Sequence, residues 1–426
     1  GKMLNFSYGY GLWVKNVDMS GGIGNDMVNI TMLLRSEIRD SYMHDSLSTS
    51  DGYGILTQAG WPNGSASTGL LVENNIFSGL RNAIVLEGDT GGVFAYNYAK
   101  NTKFDSWPNY NVPDFNANHG EHGMMDLWEG NYSTEFQSDG YHGSASHQTL
   151  FRNYLSGKNS DSNKTGNRIV IDLTRYSYYF NLVGNILGSS AWNASSYEMS
   201  GTPLYPQTQT IYRLGYPNMG NNGYCNNVGE YWYDSGCTTV FNSSQGNAPG
   251  WIDTKVKNTL VRWGNFDYKS GNTKWDNSEI ASGVSVPSSN TIPSSLYLSS
   301  KPSWFGNLTW PPIGPDITGM VNDIPAKYCS DQNAMPNCLG SIQVPTPTPS
   351  APDTTAPTIS ITSPSNNATI SNSVVISATA NDPVVNGQIS SGIYSVQFKV
   401  DNINLGQELT VAPYSGLWST IGVSNG

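Results

Sequence analysis

The sequence predicts an all-β chain: a right-handed parallel β-helix (a single-stranded solenoid), then a Pro/Thr linker, then an Ig-like β-sandwich. Three observations predict it. An asparagine recurs at one place in a short apolar pattern along the first two thirds. Only 12% of residues are charged, whereas glycine (45) and tyrosine (25) are abundant, a composition suited to strands and turns rather than to long helical faces. Finally, VPTPTPSAPDTTAP, starting at Val344, precedes segments of alternating polarity.

The repeat comes first, because a fixed period decides architecture before local propensity does. It appears as LWVKNVDM (Asn16), LLVENNIF (Asn75), GVFAYNYA (Asn97), DLWEGNYS (Asn131), TLFRNYLS (Asn153) and NLVGNILG (Asn185), with SEIRDSYM a looser copy holding Asp40 in the asparagine place. From Asn75 the intervals are 22, 34, 22 and 32. Two are a bare period and two carry an insertion. A second strand lies between copies, as in YGILTQ, NAIVLEG and RIVIDLT. Stacked coils explain this pattern, with surplus residues looping out. A corner asparagine tolerates left-handed backbone, and its amide can bond the asparagine of the next coil. An antiparallel sandwich would show turn signals every 8–12 residues or so and no fixed corner residue.

A later copy, LVRWGNFDY, puts Asn265 at the same corner. One insertion, 104–119, is expected to project over a face of the helix with Trp107, Tyr110 and Phe115. Residues 283–328 read as an irregular wrapping segment that covers a flank or an open end. The expected domains are 1–342 for the solenoid, 343–356 for an extended linker and 357–426 for an Ig-like domain. PTISITSPSNNATI, SVVISATAND and IYSVQFKVDNINLG supply that domain's alternating strands. Its final strands are expected to be incomplete, leaving a sheet edge open. The chain also starts inside a patterned segment, without a signal peptide, so an N-terminal portion is expected to precede it.

Composition narrows the functions. A net charge of −11 argues against nucleic acid, whose binding needs clustered Lys and Arg. No apolar run is long enough to span a membrane. Four cysteines allow three connectivities; nearest neighbours would pair Cys225 with Cys237 and Cys329 with Cys338, the alternative being four free thiols. Disulfides would place the protein outside the cytoplasm, extracellular or on the cell surface. Sequons at Asn5, Asn131, Asn193 and Asn307 are weak support for that location.

The chemistry concentrates in HGEHGMMDLWEGNYSTEFQSDGYHGSASHQ. It holds four of the chain's five histidines: His119, His122, His142 and His147. Coils stack about 4.8 Å apart, so His122 and His142, about one coil apart, are expected to be neighbours. His122, Asp139 and His142 are the acid/base candidates, with Glu121 and Arg168 assisting. Arg81, Trp107, Tyr110, Tyr141 and Arg175 are candidates for binding substrate, while Glu87 and Asp172 lie on nearby strands. Zinc on His119, His122, His142 and His147 is one metal reading. Calcium on acidic turn residues is the other, and the candidate cofactor. Against all of these stands the reading that His, Asp, Gly and Ser simply populate turns.

The coils resemble the pectate-lyase-like superfamily of β-helices. TLVRWGNFDY, then IPSSLYLSSKPSWFG and WPPIGPD, resemble a tail of secreted bacterial β-helix proteins, mostly of unassigned activity. The C-terminal segment resembles bacterial Ig-like repeats. Gly140-Tyr141-His142-Gly143 is similar to the Gly-His-Gly element of polygalacturonases, but the Asp-Asp and Arg-Ile-Lys elements are missing; no calcium-dependent pectate lyase motif is matched. The resemblance implies an extracellular polysaccharide-active protein, a lyase or a hydrolase. The alternative is a non-catalytic surface adhesin, glycan-binding or filament-forming protein, for which self-association is the expected contact.

Overall fold

The structure, a computed structural model, describes residues 3–22, 26–48, 52–58, 66–104, 108–140, 142–161, 163–199, 209–216, 252–333, 355–383 and 392–423. The chain divides into two compact units, Gly1–Gln343 and Val344–Gly426. Unit one is a parallel β-helix in which each coil contributes one short strand to each of three sheets.

The first sheet runs Leu4–Tyr10, Asp26–Leu34, Tyr53–Thr57, Ile84–Leu86, Phe115–Asn116, Phe136–Ser138, Arg168–Thr174 and Gln209–Tyr216, with Ser196–Glu198 at its edge. The second runs from Trp13–Lys15 to Val261–Trp263, and the third from Asp18–Ser20 to Asn265–Asp267, where Asn272–Lys274 folds back antiparallel. Three strands per coil replace the two expected, because the apolar pair after each asparagine is itself a strand. Phe115–Asn116 corrects the expected insertion: what projects ends before Phe115, whose side chain is 1% exposed in the core. A two-residue strand shows no alternation to read.

Between the second and third sheets stands the asparagine ladder. Asn131 illustrates its geometry: its Oδ1 accepts from the backbone and side-chain amides of Asn97 at 3.0 and 3.1 Å, and its Nδ2 donates to Phe94 O and Asn153 Oδ1 at 2.8 and 2.9 Å. The same pattern links Asn75, Asn97, Asn153, Asn185 and Asn265. These bonds satisfy buried groups that would otherwise be costly. Asn131, buried and fully engaged, is not available as a glycosylation site.

The first two copies need correcting. Asn16 and Asp40 are not ladder residues; they sit one position earlier, with Asn74, Tyr96 and Arg152, in a row of left-handed backbone at φ 50–56°. Val17 and Ser41 occupy the ladder position there, Ser41 N donating to Asn75 Oδ1 at 3.0 Å. In the left-handed row Gly130 is obligatory: a Cβ would meet the Tyr96 ring at 2.4 Å.

The interior is one apolar column, including Ile55, Ile84, Phe115, Phe136, Ile171 and Tyr212 under the first sheet. The outer face of the third sheet is also apolar and is sealed by the wrapping segment: Phe305, Ile313, Ile324 and Cys329 pack with Tyr98, Tyr132 and Tyr154. The segment therefore covers a flank. Tyr297 Oη donates to Glu73 at 2.6 Å, Leu296 N donates to Glu129 at 2.9 Å, and buried Arg152 forks onto Asp316 at 2.8 Å while donating to the carbonyls of Ile292, Pro293 and Ile313.

Unit two is a small sandwich. An antiparallel sheet of Thr358–Ser363, Ser373–Asn381 and Tyr414–Ser419 faces the hairpin Val396–Val400 with Ile403–Leu409 around Ile376, Val396, Phe398 and Tyr414.

Candidate functional site

Along the first sheet, side chains alternate between core and outer face. The outward register Leu56, Val85, Asn116, Gln137, Asp172, Arg213 starts apolar and turns polar at Asn116. Arg213 grips Asp172 at 2.6 and 2.8 Å, and Gln137 Nε2 donates to the same carboxylate at 2.7 Å. Two residues further on in the same register, the outward position is Glu87, Asn118 and Asp139 on successive coils.

Here the histidine stretch enters. Asp139 Oδ2 accepts from Asn116 Nδ2 at 2.6 Å and lies 2.7 Å from His119 Nδ1. Asn118 Nδ2 donates to the Asp139 carbonyl at 2.9 Å. The His142 ring stands edge-on to His119, centroids 5.4 Å apart. Two His-Gly doublets thus stack one coil apart, and their glycines are required. A Cβ on Gly120 would stand 2.6 Å from Glu87 Cβ, and one on Gly143 only 2.0 Å from the Gly120 carbonyl oxygen. The backbone crosses directly beside Glu87, which is half-buried; Asp139 is buried, and Glu121 and His142 are exposed.

Electrostatics separates the groups. Burial pushes the Glu87 carboxyl up to about 6, against the partial relief of His119, with Asp139 adding to the rise. Burial disfavours charged His119, but the Asp139 carboxylate, by charge and hydrogen bond, and Glu87 outweigh it, so its pKa lies above the usual histidine value. Burial and the neighbouring His119 charge lower His142. One carboxyl held as an acid beside another held by two donors is the arrangement acid/base chemistry needs.

The predicted residues divide accordingly. Asp139 and His142 come together with His119, while Glu121 borders them. His122 does not join them: its ring nitrogens face Ser144 Oγ at 2.9 Å and Ser146 Oγ at 2.8 Å. The expected His122–His142 pair is replaced by His119–His142, because Gly123 pairs with Ala145, which sets Ser144 rather than His142 level with His122. Arg168 lies at the far end of its strand, six residues and about 20 Å from the position level with Asp139, donating to Lys164 O. Arg175 is wholly buried and cannot meet a polymer. Arg81 packs over Phe104 and Tyr53. Tyr110 bridges to Gly166. Trp107, Tyr141, Cys225, Cys237 and Cys338 lie outside the described residues; Cys329 is buried in the wrapping segment. The zinc reading does not assemble, since His147 bonds Ser146 and stacks on Tyr179. Among the described residues no group of three or more His, Cys, Asp or Glu could hold a metal. Asn116, which orients Asp139, was missed for want of its strand; the recurrence of His-Gly at 119 and 142 was the signal for the stack.

The molecule is thus a parallel β-solenoid with a cluster of titratable side chains on one sheet, joined to a second, sandwich unit. Residues 357–426 match the bacterial Ig domain family, a module often extracellular or surface-associated. No curated protein and no solved structure matches the chain. No described helix is long and apolar enough to cross a membrane.

Proposed function

We propose that the chain is an extracellular polysaccharide-active protein that hydrolyses a glycan in the groove of the first sheet. One observation carries the reading: Glu87 and Asp139 share an outward register two coils apart, and Glu87 keeps its proton to about pH 6. Two coil spacings put their backbones about 9.5 Å apart, at the upper end of the range that admits a water between acid and base and inverts the anomeric centre. Glu87 protonates the glycosidic oxygen as its bond to the anomeric carbon breaks. Asp139, oriented by Asn116 and His119, takes a proton from the water that attacks the opposite face. Protonated His119 limits the charge that accumulates on the pair.

The test is a panel of neutral and uronic-acid glycans with the full chain, reading reducing ends, unsaturated product and anomeric configuration. New reducing ends with inversion are expected, falling about 100-fold or more in Glu87→Gln. Unsaturated product would replace hydrolysis by elimination. The Ig domain supports a second reading, a surface protein that holds glycan without cleaving it; binding with no cleavage of any glycan would select that one.

A further inference from the structure

Beyond the groove, His122 and His147 converge on one hydroxyl. His122 Nε2 and His147 Nδ1 each lie 2.8 Å from Ser146 Oγ, and His122 Nδ1 lies 2.9 Å from Ser144 Oγ. The residues come from stacked coils: Gly123 pairs with Ala145 and Met124 with Ser146, which sets His122 over Ser144 and Ser146. His147 occupies a left-handed corner, φ 55°, that swings its ring back onto the residue before it.

A hydroxyl has one proton, so these contacts form a directional chain. In one continuous orientation His147 donates to Ser146, Ser146 donates to His122 Nε2, and His122 donates to Ser144. In the other, Ser144 donates to His122, His122 to Ser146, and Ser146 to His147. Both aim the Ser146 proton at an imidazole nitrogen, which is the geometry of an activated serine, with the base itself oriented by a third group. Scaffolding alone would need only one imidazole there. Beside the serine, exposed Met125 and the stacked rings of His147 and Tyr179, centroids 4.8 Å apart, form an apolar shelf.

We infer that Ser146 is the nucleophile of a second site, with His122 its base, that hydrolyses esters of short acyl groups. Ser146 Oγ attacks the ester carbonyl while its proton passes to the imidazole. The C–O bond to the alcohol breaks, and that proton leaves with the alcohol. Water then attacks the acyl-serine and gives a proton to the same imidazole; the bond to Ser146 Oγ breaks as the imidazole returns that proton to Oγ, which releases the carboxylic acid and restores Ser146. Burial and the His147 charge hold His122 below the usual histidine value, so the neutral base is present at neutral pH.

Two measurements on the full chain test this. A fluorophosphonate should form a covalent adduct that peptide mass spectrometry places on Ser146, absent from Ser146→Ala. Hydrolysis of p-nitrophenyl acetate should fall about 100-fold in Ser146→Ala and in His122→Ala, both with the wild-type circular dichroism spectrum. An adduct elsewhere, no adduct, or wild-type hydrolysis in Ser146→Ala would each overturn the inference.

Discussion

The first and third sheets share one scaffold and one pleat, yet their outer faces have opposite fates. Outward residues of the third sheet are aromatic or aliphatic at successive coils, Tyr98, Tyr132, Tyr154, Ile186 and Phe266. Such a stripe cannot stay in water, and residues from Tyr297 to Cys329 pack over it. Outward residues of the first sheet change from apolar Leu56 and Val85 to Asn116, Gln137, Asp172 and Arg213. That face cannot be sealed by apolar packing; it is organised by hydrogen bonds that fix carboxylates. Within one solenoid, a single alternate position per coil therefore decides between a covered apolar flank and a polar one.

Damage to the shared scaffold should erase the contrast. Asn131→Ala removes four buried hydrogen bonds of one rung. At about 1 kcal/mol per bond lost, we expect a loss of about 4 kcal/mol, read as a large fall in melting temperature by circular dichroism, with both faces lost together. Damage to the wrapping segment should separate them. Arg152→Met strips donors from Asp316 and from the carbonyls of Ile292, Pro293 and Ile313. The expected cost is about 3 kcal/mol, seen as rapid proteolysis within 283–331 while glycan cleavage persists. Loss of cleavage in step with proteolysis would show that the two faces are not independent.

How much of this was legible follows the same division. The ladder from Asn75 to Asn265 could be read from spacing, because every coil needs the same buried amide. Asn16 and Asp40 misled because left-handed backbone favours Asn and Asp as well, one position before the rung. The wrapping segment announced itself by composition, but its partners did not: Arg152 and Asp316 are 164 residues apart with no period between them. At the site, Asp139 and His142 were legible as residues a coil beyond the first arm. The choice of His119 over His122 was not, since it hangs on the strand Phe115–Asn116 and on the pairing of Gly123 with Ala145.

Acidity offers a subtler probe of the chemical face. The proposed acid, Glu87, works only while protonated, so kcat/KM should fall tenfold per pH unit above about 6. In Glu87→Gln the residual rate should lose that limb. A limb that survives the substitution would move the acid to another residue and leave the groove without its distinguishing group.

The smallest expected effect lies in the core, at the corner beyond the site. Asp89 and Asp126 are buried on adjacent coils; Asp126 accepts from Gly92 N at 2.8 Å and Gln148 Nε2 at 2.7 Å. Burial, then the Asp126 charge, raises Asp89 well above the usual carboxyl range, and burial takes Asp126 to about 6. A carboxyl whose pKa is raised by folding stabilises the fold while protonated, and that contribution is lost as pH rises through the folded value. The solenoid should therefore lose stability as pH rises from about 4, the ordinary carboxyl value, through about 6, where Asp126 titrates in the fold, opposite in sign to acid denaturation by paired carboxylates. Asp89→Asn keeps the shape and removes one charge. We expect it to raise the melting temperature at pH 8 by a few degrees, on the order of 1 kcal/mol, and to change little near pH 4 or below. An equal shift at both pH values would assign the effect to packing rather than to charge.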